Sequence, residues 1–82
     1  LDNTIVLPNN VFQYNYTLTN MEKSKINLSE MKNYLTPNMI NFVKTTPEMK
    51  LIRDNKVIVN YYYRDKRKEY LFTISIKPED YK

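Results

Sequence analysis

Three segments of the chain alternate between apolar and polar residues, the pattern typical of β-strands with one buried face. The first covers Val11–Thr19, and the other two lie near the C-terminus. Their apolar sets are Phe12, Tyr14, Tyr16 and Leu18; Val57, Val59, Tyr61 and Tyr63; and Tyr70, Phe72, Ile74 and Ile76. A short β-branched run, Thr4–Leu7, precedes the turn residues Pro8-Asn9-Asn10, and this order predicts a further strand and a hairpin.

The charged segment Arg64–Lys68 separates the last two alternating segments and predicts the turn of an antiparallel hairpin. Pro78 ends the final strand, because proline has no N–H to donate to a β-ladder. Alternation within the Tyr61-Tyr62-Tyr63 run predicts that Tyr61 and Tyr63 are buried and that Tyr62 is more exposed.

A helix is predicted to begin after Asn27. The Asn27 side chain can accept from the N–H of Glu30, and the Glu30 carboxylate can accept in return from the N–H of Asn27. Ile26 and Met31 stand at the positions of a hydrophobic staple. One helical face is apolar over the following residues, namely Leu28, Met31, Leu35, Met39, Phe42 and Val43.

Two Thr-Pro pairs divide the helical region. At Thr36-Pro37 we expect a kink or a fresh start with Thr36 as cap, because Pro37 has no N–H and crowds the preceding turn. Thr46-Pro47 opens a second, short helix that runs to about residue 54. Asn55 is the expected left-handed stop.

Together these elements predict one α+β domain over residues 1–82, in the order β-β-α-α-β-β. An antiparallel sheet of three to four strands would carry the kinked helix and the short second helix on one face. The opposite, open face of the sheet would then present Gln13, Asn15, Thr17, Ile58, Asn60, Tyr62, Leu71, Thr73 and Ser75.

Composition removes most classes of enzyme. The 82 residues include no Gly, Cys or His, so glycine-rich phosphate loops, thiolate nucleophiles and the usual general base near neutral pH are all excluded. The carboxylates show no spacing that brings them together in a cleft. We therefore predict a non-enzymatic domain with no cofactor, no metal and no catalytic residues.

The net charge of +4 raises the question of nucleic-acid binding. Arg64, Lys66, Arg67 and Lys68 form a candidate anion-binding group beside the tyrosine strand. However, Asn, Lys, Ile and Tyr all have AT-rich codons and make up 36 of the 82 residues, so gene composition is the first explanation of the lysine excess. One exposed aromatic, Tyr62, is also a poor platform for stacking bases. A weak, sequence-tolerant single-strand binder is thus the alternative hypothesis.

The leading hypothesis is a protein-binding or assembly module. Ile58, Tyr62 and Leu71 are the apolar residues predicted on the open face of the sheet, and we interpret them as a patch for another protein chain, of this or another kind. An edge strand of the sheet offers a second way to bind a partner strand.

Motifs spread along most of the chain resemble a group of small, uncharacterised bacterial envelope proteins. They are Tyr14-x-Tyr16-x-Leu18, Leu35-x-Pro37 with Ile40-Asn41, Pro47-Glu48-Met49, Tyr61-x-Tyr63 and Ile74-x-Ile76-x-Pro78-x-Asp80. The resemblance implies a location on the periplasmic or extracellular side of the envelope, with the cytoplasm as the other reading, and it implies no activity.

Members of that group often carry two cysteines, at positions that correspond here to Lys44 and Tyr81. The chain thus departs from the group in lacking that pair. No segment is apolar enough to cross a bilayer, and Leu1 in place of Met predicts a trimmed chain from which a signal or anchor has been removed.

Overall fold

The structure is a computed structural model that describes residues 1–82. Its strands are β1 (Asn3–Leu7), β2 (Val11–Thr17), β3 (Ile58–Arg64) and β4 (Tyr70–Ile76). Its α-helices are α1 (Leu28–Thr45), α2 (Lys50–Asp54) and α3 (Pro78–Tyr81), and single 3-10 turns cover Lys23–Lys25 and Pro47–Met49. The α+β class and the order β-β-α-α-β-β are confirmed. No helix is both long enough and apolar enough to cross a membrane.

The four strands form one sheet in the order β1-β2-β3-β4. The outer pairs, β1–β2 and β3–β4, are antiparallel, as predicted for hairpins. The central pair, β2–β3, is parallel, so the sheet is mixed. The parallel pair follows from the helical segment between these strands, because only a long crossover returns the chain to the same end of the sheet.

The start of α1 matches half of its prediction. Asn27 Oδ1 accepts from the N–H of Glu30 at 3.0 Å, and Asn27 has the extended backbone of an N-cap. The return bond from the Asn27 N–H to the Glu30 carboxylate is not formed. Ile26 and Met31 both pack against the core, which anchors the first turn of the helix.

The predicted fresh start at Pro37 is wrong, whereas the alternative, a kink in one helix, stays a prediction. Helix α1 runs through Pro37 without interruption, and Thr36 is not a cap. The Thr36 hydroxyl instead donates to the carbonyl of Lys32 at 2.7 Å, one turn earlier. Packing of the helix on both sides of Pro37 outweighs the hydrogen bond that proline cannot make, so tertiary contacts override local propensity here.

The short helix begins at the second Thr-Pro pair, as predicted, and ends at Asp54. The left-handed residue after it is Lys56, with φ of 53°, and not Asn55, whose φ is −94°. Asn55 has another role, because its Nδ2 donates to the carbonyl of Leu51 at 2.8 Å. The side-chain bond keeps Asn55 near the helix and moves the reversal of the chain to the next residue.

The helices pack on one face of the sheet around a single buried cluster. Tyr61 and Tyr63 belong to this cluster and Tyr62 is half-exposed, so the predicted alternation in β3 is confirmed. The twelve buried apolar residues are Val43, Met49, Ile52, Val57, Val59, Tyr61, Tyr63, Leu71, Phe72, Ile74, Ile76 and Tyr81. Tyrosine rings also stack between β2 and β3, with centroids 5.5 Å apart for Tyr14–Tyr61 and 5.2 Å apart for Tyr16–Tyr63.

The placement of Leu71 on the open face is wrong, because a β-bulge interrupts the alternation of β4. Tyr63 pairs with Phe72 and Arg64 with Tyr70, so Leu71 is an extra residue without a partner in β3. The bulge turns Leu71 into the core, where it is 4% exposed. Tyr70, predicted to be buried with Phe72, is 45% exposed and packs against Tyr62 on the open face.

Candidate functional site

The open face of the sheet, which no helix covers, is the main candidate surface. Strand register arranges its side chains in rows across the strands. The rows are Leu7, Val11 and Ile58; Ile5, Gln13, Asn60 and Ser75; Asn3, Asn15, Tyr62 and Thr73; and Thr17, Arg64 and Tyr70. Most of these side chains are half-exposed, since neighbours within each row cover one another.

Two apolar spots stand on this face at opposite ends of the strands. Ile58 lies in a row with Val11 and Leu7, whereas Tyr62 is four residues further along β3. Four residues of a strand span about 13 Å, so Ile58 and Tyr62 do not touch. Of the predicted trio Ile58, Tyr62 and Leu71, the structure keeps the first two on this face but separates them, and it places Tyr70 where Leu71 was expected.

Tyr62 and Tyr70 are the aromatic residues of the open face, and their rings are in contact. The ring centroids are 5.0 Å apart and the ring planes are tilted by 41°. The Tyr70 hydroxyl lies 3.1 Å from Thr73 Oγ1, and this contact orients the exposed ring. Alternation alone places Tyr70 in the core, and nothing in the sequence of β4 marks the bulge that moves this residue to the open face.

Amide side chains fill the middle of the open face and bond to one another. Gln13 Nε2 donates to Asn15 Oδ1 at 2.9 Å, and Asn15 Nδ2 donates to Asn3 Oδ1 at 3.1 Å. In contrast, Asn60 Oδ1 is buried beneath its neighbours and has no hydrogen-bond partner. The middle of the open face is therefore polar. Its amide side chains bond to one another, and Asn60 Oδ1 is an acceptor without a donor.

An acidic and a basic side chain meet at the end of the face. Arg64 Nη2 lies 3.1 Å from Asp2 Oδ2, which also accepts from the Thr17 hydroxyl. The Thr17 hydroxyl and then the Arg64 guanidinium lower the pKa of Asp2 below its ordinary value, against partial desolvation. Arg64, predicted to bind anions, is thus occupied within its own chain.

The other predicted anion-binding residues divide into two pairs. Lys66 Nζ is 2.9 Å from Glu22 Oε1 and is neutralised there. Arg67 and Lys68 are exposed and have no carboxylate within 4.0 Å. Only half of the predicted group is available to an external anion, and it lies on the turn between β3 and β4.

Asp65 organises that turn. Its carboxylate is fully buried and accepts from the N–H groups of Lys23, Arg67 and Glu69, at 2.9, 2.8 and 3.0 Å. The Lys23 N–H has the largest effect among these donors, and together they hold the pKa of Asp65 below its ordinary value despite desolvation. No role for Asp65 was predicted from the sequence, although an Asp side chain that accepts from the N–H two residues later is a known turn signal.

Two other features that could form a site are a cluster of metal-binding side chains and a hollow in the surface. No group of three or more His, Cys, Asp or Glu side chains is placed to hold a metal ion. The largest hollow, about 580 Å³, is open and lies between the β2–α1 connection and the first turns of α1. Its charged lining includes Glu22 and Lys66, which pair with each other.

The chain belongs to the family described as a domain of unknown function, DUF8479, which matches residues 2–72. The match extends from the start of β1 into β4 and includes Ile58, Tyr62 and Tyr70. No curated protein and no solved structure matches the chain.

Proposed function

We propose that this member of a family of unknown function is a non-enzymatic protein-binding or assembly module that meets another protein chain through the open face of its sheet. The observation that carries the proposal is the Tyr62–Tyr70 pair, two tyrosine rings in contact on a sheet face that no helix covers. Tyrosine is enriched among the residues that supply most of the binding energy at protein interfaces.

The surroundings of the pair fit the composition of a protein interface. Interfaces combine apolar anchors with hydrogen-bonding groups and few charges at their centre. Here the apolar row of Leu7, Val11 and Ile58 and the tyrosine pair flank a band of amides and hydroxyls. The unpaired Asn60 Oδ1 would gain a hydrogen bond if a partner chain reached the middle of this band.

The test replaces Tyr62 and Tyr70 with Ser in the full-length protein. Tyr34→Ser in α1 is the matched control, because Tyr34 is 71% exposed and lies on a helix. We expect the double variant to weaken an association of the parent by roughly thirtyfold or more, the effect of losing an interface tyrosine worth about 2 kcal/mol. Sedimentation and quantitative co-purification measure self-association and native partners. A folded double variant that keeps every association of the parent makes the proposal wrong.

The resemblance to small bacterial envelope proteins supports a location on the periplasmic or extracellular side of the envelope. The domain would then be the water-exposed part of an envelope protein. Fractionation of cells that express the full-length gene product tests this part of the proposal. Recovery in the periplasmic or surface fraction is the expected result, and recovery only in the cytosol contradicts it.

A weak, sequence-tolerant single-strand nucleic-acid binder is the second candidate. It gains support from the bulge, because the open face carries two aromatic rings, and from the unpaired Arg67 and Lys68. Binding of a labelled oligothymidine measured against salt concentration decides between the candidates, since phosphate contacts make affinity fall steeply with salt. No binding at low ionic strength removes this candidate, whereas salt-sensitive binding lost in the Tyr62→Ser, Tyr70→Ser variant supports it.

A further inference from the structure

The two edges of the sheet differ in how they are protected. Strands β1 and β4 lie at the edges, and an edge strand exposes N–H and C=O groups that can pair with another chain. Natural proteins block such edges with charged residues, prolines, bulges or covering elements. Strand β4 has a bulge at Leu71, charged residues on both sides, and helix α1 packed against it.

Strand β1 has few of these devices. Its residues, Asn3–Leu7, are uncharged, contain no proline, and pair with β2 in an uninterrupted register. All but Leu7 are exposed, and the only extensive contact of β1 is with β2. Its central residues, Thr4, Ile5 and Val6, are β-branched, which favours strand pairing. Apart from its shortness, β1 is an open edge.

The distribution of charge points to a second copy of this chain as the occupant. Residues 3–21 contain no Asp, Glu, Lys or Arg, so every charged side chain except Asp2 lies in residues 22–82. Asp2 itself is paired with Arg64. Because the chain carries a net charge of +4, two copies repel one another at most orientations. They approach with the least repulsion through the uncharged hairpin β1–β2.

We propose that β1 pairs antiparallel with β1 of a second copy and joins the two four-stranded sheets into one. In the pairing centred on Ile5, each Ile5 faces its equivalent and each Thr4 faces Val6 of the other copy. Cross-strand pairs of β-branched residues stabilise a sheet, and none of these pairs brings like charges together. A two-fold axis is the usual symmetry of such a dimer. This interface is separate from the Tyr62–Tyr70 pair, which lies on β3 and β4, because β2 stands between those strands and β1. Thr4 and Val6 point to the helix side with their partners Tyr14 and Phe12.

The test places a charge on the helix-side edge of β1. Val6→Lys is suitable because Val6 is 71% exposed, so the change leaves the monomer intact. Leu51→Lys in α2 is the matched control, since Leu51 is 73% exposed and the variant has the same charge. We expect the parent to dimerise, Val6→Lys to weaken dimerisation at least about tenfold through like charges at the pairing edge, and Leu51→Lys to leave it unchanged. Sedimentation velocity over a concentration series measures all three.

A mixing experiment tests the pairing itself. Val6→Lys and Val6→Glu chains should each associate weakly, and their equimolar mixture should dimerise, because position 6 of one copy lies diagonally across from position 6 of the other.

A parent that stays monomeric up to about 1 mM overturns the proposal. A dimer that Leu51→Lys weakens as much as Val6→Lys does also overturns it. So does a dimer that is disrupted only by the Tyr62→Ser, Tyr70→Ser double variant. The last outcome would place the second copy on the open face and leave the proposed function standing.

Discussion

Among single residues, Asp65 forms hydrogen bonds that join two segments far apart in the sequence. Its carboxylate binds the N–H of Lys23 in the β2–α1 connection and two N–H groups of its own turn. A backbone hydrogen bond joins the same turn to the same connection, because the N–H of Lys66 donates to the carbonyl of Met21 at 2.9 Å. A buried carboxylate is tolerated when hydrogen bonds replace its lost hydration, and three donors meet that need here.

The stability that Asp65 contributes should depend on pH. Its pKa in the folded state lies below the ordinary value of 3.8, so the contribution is present above about pH 4 and is lost as pH falls through the folded pKa. Asp65→Asn should therefore lower the unfolding temperature at pH 7 and approach the parent in strong acid. Thermal unfolding from pH 2 to pH 7 measures the difference.

The exposed Asp54→Asn is the control, because Asp54 pairs only with the exposed Lys50. It should shift the unfolding temperature little at any pH. An Asp65→Asn difference that is constant from pH 2 to pH 7 would show that the charge of Asp65 does not matter.

Tyr70 and Leu71 show where prediction from single residues ends. Alternation correctly predicted the faces of Tyr61, Tyr62 and Tyr63, because β3 is regular over that stretch. The same rule exchanged the faces of Tyr70 and Leu71, since one extra residue in β4 reverses the alternation beyond it. The size of the turn and the needs of the core determine that bulge, and neither is visible in the sequence of β4.

At the level of elements, α1 is held by its contacts more than by its local sequence. Pro37 is exposed in the middle of the helix and deprives the carbonyl of Asn33 of the N–H that normally pairs with it. Met31, Leu35 and Met39 on the core side pack on both sides of this point. The start of the helix could be predicted from Asn27. The strength of the packing contacts that keep the helix continuous through Pro37 could not be predicted from the local sequence.

Replacement of Pro37 with Ala should therefore stabilise the protein. The change restores a backbone hydrogen bond on an exposed surface and should raise the free energy of unfolding by roughly 1–3 kcal/mol. Pro47→Ala is the control, because Pro47 opens its helical turn, where an N–H would have no partner, and it should give no gain. Urea denaturation compares the variants. A Pro37→Ala protein no more stable than the parent would mean that α1 needs the shape that proline imposes.

At the level of the whole molecule, the layers were predictable and the strand pairing was only partly so. Apolar strand faces and an apolar helix stripe predicted helices on one side of a sheet, because each buries the other. The parallel β2–β3 pair was not predicted, since periodicity does not give strand order. That pairing stacks the tyrosines of β2 on those of β3 and leaves β1 at the edge. The candidate surfaces therefore depend on the strand order, which the local sequence pattern does not predict.

The central claim is that the open face meets another protein chain at Tyr62 and Tyr70. The most direct measurement introduces a photo-crosslinking amino acid in place of Tyr70 in the full-length protein, in the cells that normally produce it. The same amino acid in place of Tyr34, on the opposite layer, is the control. The account predicts a discrete crosslinked product from position 70 and not from position 34. Crosslinking from position 34 alone, or from neither position, would contradict it.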